Sequence, residues 1–377
     1  MPTSLPNREI VLWGIGHTNA HVLRMWRSRP IPGLHLTCVS DTAFSTYSGM
    51  LPAVLAGQFP RERMEINLVR LCAAARATLV LGEGIGVDTG RHELLVAGRA
   101  PVHYDLLSIG IGSVPAPPGV ASPDAPILPI KPMWSFLDRL KARLLGLNPS
   151  REIHVVIVGG GAGGVEIALC LPNFVRSICH GVAPKITLTD ANKRLLAGSG
   201  SRAARLARKT LERRGVRLAL GRRVTAVEQG EVILDDGTTI GTNLILWATG
   251  AVAPPVLASL GLPTDERGFL LTHATLQTLS DDSAFAVGDS GTLRDSRTPK
   301  AGVFAVRQGP VLWANLERKH RGLRLEHYEP QRQFLRILNT GDGRAIAEYC
   351  GIALSGRFAR WLKDRIDTSF MKQFQTE

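Results

Sequence analysis

Two glycine-rich turns in this chain have the spacing that binds a dinucleotide, and each directly follows a short apolar run. The second turn contains Gly159, Gly161 and Gly164, so it has all three glycines of the G-x-G-x-x-G pattern. These glycines permit a tight turn, close approach of a pyrophosphate, and close packing of a helix against a strand. The helix that opens there presents free N–H groups and the positive end of its dipole to the phosphate. The sequence therefore predicts a dinucleotide site at this turn.

An acidic residue, Asp190, ends the predicted strand that follows this helix. A carboxylate at that position hydrogen-bonds the ribose hydroxyls and repels a 2′-phosphate, which favours NADH over NADPH. Two basic residues shortly after it, Lys193 and Arg194, keep NADPH open as an alternative. Glu166 lies two residues beyond the third glycine, and two interpretations stay open for it. It is either a solvated helix carboxylate or a contact near the nicotinamide ribose.

The first turn contains Gly14 and Gly16, but Asn19 replaces the third glycine. Helix and strand must therefore pack slightly differently there, because glycine at this position normally allows their closest approach. The next predicted strand ends at Ser40 and Asp41, and either residue could meet an adenosine ribose. Two dinucleotide sites in one chain would allow a hydride to pass between the two bound molecules.

The composition is that of a globular protein with more than one domain, and it argues against several function classes. The 377 residues are 44% hydrophobic and carry a formal net charge of +13. The basic residues are scattered and no recognised nucleic-acid-binding module accompanies them, so no nucleic-acid partner is expected. The five cysteines form no C-x-x-C pair, which argues against a dithiol active site, and no metal site is expected. The polar start of the chain predicts no secretory signal.

A Gly-Asp pair, Gly288 and Asp289, follows a short apolar run C-terminal to both glycine turns. With this pair, the chain resembles the FAD-dependent pyridine nucleotide-disulfide oxidoreductase superfamily. Within it, the chain is similar to type II NADH dehydrogenases, and most similar to the branch associated with selenide, water dikinase. The segments that carry the resemblance are 14–22 (GIGHTNAHV), 46–57 (TYSGMLPAVLAG), 105–113 (DLLSIGIGS), 130–132 (IKP), 158–166, 286–289, 305–312 (AVRQGPVL), 335–344 (LRILNTGDGR) and 362–371 (LKDRIDTSFM).

The resemblance implies an FAD site at the first turn and a site for NADH, or NADPH, at the second. Gly14 and Gly16 would approach the FAD pyrophosphate, and Asp289 would accept a hydrogen bond from the ribityl chain. Asn19 is also implied to bind this cofactor. Lys131 is implied to lie near the flavin, where it could stabilise the anionic reduced form. The other residues implied to contact a cofactor are Ser40 or Asp41, Ser48, Gly49, Pro52, Ser108, Gly110, Gly159, Gly161, Gly164, Glu166, Asp190, Gly250, Gly288, Arg307 and Gln308.

The predicted fold class is α/β: two Rossmann-like dinucleotide-binding domains, for FAD and NAD(P)H, with a smaller α+β C-terminal domain. The expected order is the FAD-binding domain (1–115), a linker and helix (116–150), the NAD(H)-binding domain (151–255), the rest of the FAD-binding domain (256–322) and the C-terminal domain (323–377).

The last helix of the chain is predicted to be amphipathic, with apolar residues near one side and basic residues around them. Such a helix lies on a membrane surface or packs against its own protein or a dimer mate. The apolar residues are Trp361, Leu362, Ile366, Phe370, Met371 and Phe374, and the basic ones are Arg357, Arg360, Lys363, Arg365 and Lys372.

The predicted function is hydride transfer from NADH to FAD, followed by electron transfer to a quinone-like acceptor, with ring stacking as the main catalytic device. One alternative is a soluble NAD(P)H-dependent flavin reductase of a sulfur- or selenium-linked or other small acceptor. Another is a flavin-bound sensor or partner protein. A sulfide:quinone reductase is less favoured, because no suitably placed flavin-proximal cysteine is evident. The chain is expected in the cytoplasm, with peripheral contact to the inner face of the membrane and homodimer formation left open.

Overall fold

The computed structural model describes residues 8–148, 152–228, 230–296 and 298–375. Most of the polar start that predicts no secretory signal lies outside these residues. The strands within them are β1 (Arg8–Trp13), β2 (Leu34–Ser40), β3 (Phe44–Thr46), β4 (Glu65–Asn67), β5 (Thr78–Leu81), β6 (Gly84–Asp88), β7 (Glu93–Val96), β8 (Val102–His103), β9 (Leu106–Ile109), β10 (Val114–Pro115), β11 (Val120–Ala121), β12 (Ile127–Pro129), β13 (His154–Val158), β14 (Lys185–Asp190), β15 (Arg217–Leu220), β16 (Val224–Glu228), β17 (Glu231–Leu234), β18 (Thr239–Gly241), β19 (Leu244–Trp247), β20 (Ala251–Val252), β21 (Leu270–Thr272), β22 (Ala284–Ala286), β23 (Gly291–Leu293), β24 (Arg336–Asn339), β25 (Ala345–Tyr349) and β26 (Ile352–Gly356). The α-helices are α1 (His17–Ser28), α2 (Leu51–Leu55), α3 (Leu68–Ala75), α4 (Met133–Leu145), α5 (Ala162–Ile178), α6 (Ser201–Arg213), α7 (Gly302–His320) and α8 (Arg357–Lys372).

The sheet that carries the first glycine turn is built from two distant parts of the chain. Its strand order is β22-β9-β1-β2-β5, and every neighbouring pair is parallel. The last four residues of β1 are buried, as expected for a central strand of a parallel sheet covered on both faces. Because β22 pairs with β9, the Gly-Asp pair after β22 lies at the same sheet edge as the first turn. Open α/β sheets bind their ligands at this edge, outside the carboxyl ends of the strands.

The sheet that carries the second turn repeats this design. Its order is β12-β19-β13-β14-β15, and again every neighbouring pair is parallel. In the first sheet the N–H of Gly14 donates to the carbonyl of Val39 at 2.8 Å, and in the second the N–H of Gly159 donates to the carbonyl of Thr189 at 2.8 Å. The chain thus builds the same strand-turn-helix unit twice.

The segment predicted as a linker contains more regular structure than its proline content indicates. β12 extends the second parallel sheet beside β19, and β11 pairs with β16 of a separate four-stranded sheet. Proline lacks an N–H group, but an edge strand tolerates proline because one side of the strand makes no hydrogen bonds to a neighbouring strand. Pro129 ends β12, which is an edge strand. The segment therefore crosses between the two units while paired to the second.

The C-terminal part consists of an antiparallel sheet, β24-β25-β26, and the helix α8. The prediction that the apolar residues of this helix share one side, with the basic residues around them, is wrong. Met371 and Phe374 are buried, but so are Arg360 and Lys363, whereas Trp361 is exposed. The helical period of 3.6 residues identifies faces of a helix, but it does not say which face carries buried ion pairs.

No helix in the described parts of the chain has both the length and the apolar character needed to cross a membrane.

Candidate active site

The first glycine turn opens onto a cavity of about 510 Å³. We call it the glycine-turn cavity. Its wall comes from eight separate parts of the chain: the turn itself, residues 39–48, residues 83–84, the segment after β9, residues 131–134, residues 254–256, the segment after β22, and the start of α7. Of the predicted site residues, it is lined by Gly14, Gly16, Asn19, Ser40, Asp41, Ser48, Gly110, Lys131, Gly288 and Asp289.

The N-terminus of α1 faces this cavity without a side-chain cap. Gly16 is the N-cap residue and has an extended backbone, and no side chain accepts a hydrogen bond from the first turn of the helix. The first N–H groups of a helix have no partner within the helix, so they are available to a phosphate. Gly14 has a φ of +78°, and a Cβ atom there would lie 2.8 Å from the carbonyl oxygen of Gly110. The turn therefore needs glycine at this position and suits a pyrophosphate.

Asn19 makes up for the missing third glycine by joining the helix to the sheet. Its Nδ2 donates to the carbonyl of Gly14 at 2.7 Å and to that of Ser108 at 3.3 Å. Its Oδ1 accepts the hydroxyl of Ser108 at 2.7 Å. Both side chains are fully buried and satisfy each other. Asn19 and Ser108, both predicted to contact a cofactor, thus also hold the turn in place.

A charged pair also lines the same cavity. Lys131 Nζ is 3.2 Å from the carboxylate of Asp289, and Ser113 donates to that carboxylate at 2.6 Å and accepts a hydrogen bond from Lys131. Burial opposes ionisation of Asp289, but Lys131 and Ser113 outweigh it and keep the pKa of Asp289 below its usual value. Asp289 is therefore an anionic hydrogen-bond acceptor at neutral pH. Ser113 was missed in the sequence, where nothing distinguishes it from other serines.

The second turn presents an equally open helix N-terminus. Gly161 is the N-cap residue of α5, no side chain caps it, and a Cβ atom there would meet nothing within 4 Å. Gly159 has a φ of +123°, and its Cβ atom would lie 2.2 Å from the carbonyl oxygen of Ala248. A Cβ atom on Gly164 would lie 1.8 Å from the carbonyl oxygen of Gly159, so this glycine permits the close packing of helix and strand.

Asp190 lies beside the second turn, as predicted. Its Oδ2 accepts the N–H of Gly160 at 2.5 Å, and its Oδ1 accepts the N–H of Asn192 at 2.7 Å. The carboxylate is thereby fixed at the end of β14, beside the open N-terminus of α5. Gly250, which follows β19, has open space where a Cβ atom would lie. Contact of either residue with a nucleotide stays a prediction.

One of the two interpretations of Glu166 is wrong. Glu166 is not solvated: its carboxylate is partly buried and accepts the N–H of Asn339, at the end of β24, at 2.7 Å. Burial raises its pKa to about 7, although Lys363 and the Asn339 N–H oppose the shift. Glu166 therefore joins α5 to the C-terminal part of the chain, and a contact with the nicotinamide ribose stays a prediction.

The remaining predicted site residues do not line the glycine-turn cavity. Pro52 is buried in α2, and Gly49 accepts a hydrogen bond from Lys363 on its carbonyl at 3.0 Å. Gln308 accepts the N–H of Gly288 at 2.6 Å and so positions the residue beside Asp289. Arg307 lines a second cavity, between α1, α7 and α8. Their roles toward a cofactor stay predictions.

Comparison with known proteins agrees with this geometry. The family described as pyridine nucleotide-disulphide oxidoreductase matches residues 14–309. The demethylphylloquinone reductase NdbB of Synechocystis sp. is 27% identical over 305 residues, which cover 76% of this chain and 72% of that protein. The sulfide:quinone oxidoreductase of Aquifex aeolicus superimposes with a TM-score of 0.81 at 18% identity, covering 97% of this chain and 91% of that one. NDH2 of Plasmodium falciparum in complex with NADH also has a TM-score of 0.81, at 14% identity, covering 98% and 97%.

These matches confirm the predicted α/β class with two Rossmann-like domains, the prediction of an oxidoreductase, and FAD and NAD(P)H as its cofactors. The free helix N-terminus, the cavity and the ionised, half-buried Asp289 fit FAD at the first turn. The open turn with Asp190 fits NADH at the second. The resemblance to the branch associated with selenide, water dikinase stays a prediction.

Proposed function

Because the chain belongs to the pyridine nucleotide-disulphide oxidoreductase family, we propose that it oxidises NADH through FAD and passes the electrons to a quinone. The observation that carries this proposal is the pair of uncapped glycine turns, of which the first opens onto a cavity that Lys131 and Asp289 also line. When bound, FAD supplies a ring that accepts a hydride and NADH supplies that hydride.

The chain's own residues would then bind and orient the two cofactors and balance their charge. The turn at Gly14 and Gly16 would hold the FAD pyrophosphate, and the ionised Asp289 would accept a hydrogen bond from the ribityl chain. Lys131, held by Asp289 and Ser113, would offer a positive charge in the wall of the cavity. Such a fixed charge stabilises developing negative charge without any reorganisation. Asp190 would select NADH over NADPH by repelling a 2′-phosphate.

The acceptor is proposed from the relatives and from the absence of a competing thiol site. The most similar proteins include a demethylphylloquinone reductase, whose name states a quinone acceptor. All five cysteines of the chain lie in described residues, and none lines either of the two cavities. This disfavours dithiol chemistry and the sulfide-dependent type of reductase. A small sulfur- or selenium-linked acceptor, or a sensor role, would be recognised in the test below.

The decisive experiment is anaerobic reduction of the purified protein by NADH, followed by mixing with acceptors. We expect FAD to co-purify, NADH to bleach it within a second, and menadione or a short-chain ubiquinone to restore its colour faster than polysulfide or selenite does. The variant Asp289→Asn keeps the side-chain shape but removes the charge that pairs with Lys131, so it should retain less FAD. A protein without flavin, or a flavin that NADH does not bleach, contradicts the proposed function.

We also infer a peripheral contact between the C-terminal part and an anionic lipid surface. Phe358 and Trp361 of α8 are 67% and 52% exposed and stack on each other at 5.5 Å, and Ile352 of the adjoining strand β26 is 66% exposed. Basic residues border this apolar surface, and Arg365 lies 5.8 Å from the Trp361 ring. Apolar side chains beside basic ones suit the boundary between headgroups and acyl chains of an anionic membrane.

Co-sedimentation with vesicles that contain phosphatidylglycerol tests this contact. The double change Phe358→Ser and Trp361→Ser should reduce the bound fraction about tenfold, because most of the exposed aromatic area is lost. Leu145→Ser is the matched control, since Leu145 is 62% exposed but lies in α4. Equal binding by all three proteins would contradict the contact. A cytoplasmic location, on the inner face of the membrane, and a homodimer stay predictions.

A further inference from the structure

One segment of the chain, residues 190–200, connects the second glycine turn to the C-terminal sheet. Its first residue, Asp190, accepts the N–H of Gly160 at 2.5 Å. Further along the segment, Leu196 donates its own N–H to the carbonyl of Gly160 at 2.9 Å. The same segment therefore holds Gly160 on both sides, through its N–H and through its carbonyl. Gly160 lies between Gly159 and Gly161, which belong to the glycine motif of the turn.

The contact with the Gly160 carbonyl also orients the next N–H group. The peptide bond between Gly160 and Gly161 is trans, so it is planar and its C=O and N–H groups point in opposite directions. Because Leu196 fixes the direction of the carbonyl, it also fixes the direction of the Gly161 N–H. Gly161 is the N-cap residue of α5. The 190–200 segment thus helps to orient the backbone N–H groups to which a pyrophosphate would bind.

The middle of the segment depends on contacts with its neighbours. Leu196 is buried and has a φ of +53°, in the left-handed region that residues with a Cβ atom seldom adopt. Such a conformation persists where the surrounding structure holds it in place. The N–H of Ser199 donates to the carbonyl of Leu196 at 2.7 Å. Contacts that hold residues 198–200 therefore also hold Leu196.

Two side chains of the C-terminal sheet hold the end of the segment. Arg336 of β24 donates to the carbonyl of Gly198 at 2.6 Å and to the hydroxyl of Ser199 at 3.2 Å. Glu348 of β25 accepts the N–H of Gly200 at 2.5 Å. The two side chains lie 3.4 Å apart, and their residues are directly opposite each other in the antiparallel pair. They therefore share one face of the sheet and contact the segment together.

The burial of Glu348 indicates a specific role. Its side chain is 8% exposed, and in the described parts of the chain it is the one buried charged residue outside α8. Burial of a carboxylate is costly unless hydrogen bonds and an opposite charge offset it. Here Arg336 supplies the charge, and Gly200, the N-cap residue of α6, supplies an N–H at the positive end of the helix dipole. The carboxylate is thus placed to hold one backbone position.

We propose that Arg336 and Glu348 are positioning residues for the nicotinamide nucleotide. They hold the 190–200 segment against Gly160 and so set the affinity of the second turn for the nucleotide. The proposal rests on the function proposed above, because it takes the second turn as the NADH site. It gives the C-terminal sheet a part in nucleotide binding, through the segment that it contacts, and no part in the transfer of the hydride.

Equilibrium dialysis of NAD⁺ against the oxidised, flavin-loaded protein tests this proposal without turnover. NAD⁺ has the same pyrophosphate and ribose groups as NADH and does not react with oxidised flavin. Glu348→Ala should raise the Kd of NAD⁺ about 10-fold, or about 1.4 kcal/mol, close to the value of one hydrogen bond to a charged group. Glu348→Gln should stay within threefold of wild type, because its amide oxygen can still accept the Gly200 N–H. The FAD content of both variants should equal that of wild type.

Anaerobic mixing with NADH then separates binding from hydride transfer. In Glu348→Ala the NADH concentration that gives half the maximal bleaching rate should rise about 10-fold, whereas the maximal rate should change less than twofold. The Leu196 amide should also exchange its hydrogen faster than in wild type. A merely structural role for Glu348 would instead lower the FAD content or the maximal rate, and either result contradicts the proposal.

Arg336→Met should weaken NAD⁺ binding as Glu348→Ala does, and Arg344→Met is its matched control. Arg344 is exposed in the turn between β24 and β25. A Kd for NAD⁺ in Glu348→Ala within twofold of wild type, or an equal loss of affinity in Arg344→Met or in Glu348→Gln, overturns the proposal. A wild-type protein that binds no NAD⁺ and is not bleached by NADH overturns the proposed function instead, so the two failures are distinguishable.

Discussion

A buried lysine, Lys363, joins the last helix to the body of the protein, and its removal gives a sharp prediction. Its Nζ lies 3.1 Å from the carboxylate of Asp367 and donates to the carbonyl of Gly49 at 3.0 Å. The two charged side chains are 9% and 5% exposed. Tyr47 donates to Asp367 at 3.0 Å. The attraction of Glu166 and Asp367 outweighs burial and raises the pKa of Lys363, so the ammonium stays charged.

Lys363→Met leaves Asp367 buried beside another carboxyl group without its cation. At the observed separation the pair's attraction is about 5 kcal/mol for an effective dielectric constant near 20. Breaking a buried pair by removing one partner typically costs about 3–5 kcal/mol. Because the lysine links α8 to Gly49, the loss should appear first as local opening of α8. An opening cost that falls by about 3 kcal/mol corresponds to opening more than about 100-fold more often.

Native-state hydrogen exchange of the α8 amides measures this opening directly. In Lys363→Met the α8 amides should exchange about 100-fold faster, and those of α1 should change much less. Lys372→Met is the matched control, because Lys372 is exposed on the same helix. Adding Asp367→Asn to Lys363→Met should restore most of the protection, since the unpaired charge is gone while Tyr47 keeps an acceptor. An exchange rate within threefold of wild type, or the same effect in Lys372→Met, would refute the reasoning.

Three further predictions concern the sites themselves. Asp190→Asn keeps an acceptor for the Gly160 N–H but removes the charge, so the preference for NADH over NADPH, measured as a ratio of kcat/KM values, should fall about tenfold. Burial raises the pKa of Glu166 to about 7 in the folded state, so this carboxyl group ionises at lower pH in the unfolded chain than in the folded one. The stability of the wild-type protein should therefore fall as pH rises from about 4.5 to 7. Glu166→Gln should show a smaller fall in melting temperature across that pH range. Asn19→Ala leaves the buried Ser108 hydroxyl without its acceptor and should lower the free energy of unfolding, measured by chemical denaturation, by about 1–3 kcal/mol. Adding Ser108→Ala should recover part of this loss, whereas additive effects of the two changes would contradict the coupling.

The features that the sequence predicted correctly are those that depend on local geometry. A glycine with positive φ, as at Gly159, is required by the turn itself, and the strand before it and the helix after it follow directly along the chain. The pairing of β14 with the neighbouring strand β13 is enough to place Asp190 beside the turn. Such short-range constraints require particular residue types at a fixed spacing, so they can be recognised in a single sequence.

The features that could not be predicted depend on contacts between distant segments. Glu166 accepts a hydrogen bond from Asn339, which lies 173 residues further along the chain, and Lys363 reaches Gly49 across 314 residues. No periodicity or spacing links such pairs. Ion pairing also explains why the predicted faces of α8 are wrong. From the sequence, Arg360 and Lys363 are expected on the surface, but each is buried in an ion pair with an acidic residue of the same helix.

The two glycine turns differ in how firmly each would hold its nucleotide. The cavity at the first turn is lined by eight parts of the chain, and Asn19 joins that turn to Ser108. At the second turn Gly161 faces open space, and Asp190 is the charged group fixed beside it. A cofactor gripped by many segments leaves slowly, whereas one held by a single turn and one carboxylate can exchange in every cycle. The lost glycine at position 19 is therefore consistent with a resident FAD at the first turn, and the complete motif with an exchangeable NADH at the second. Electrons would then flow from the second turn to the first.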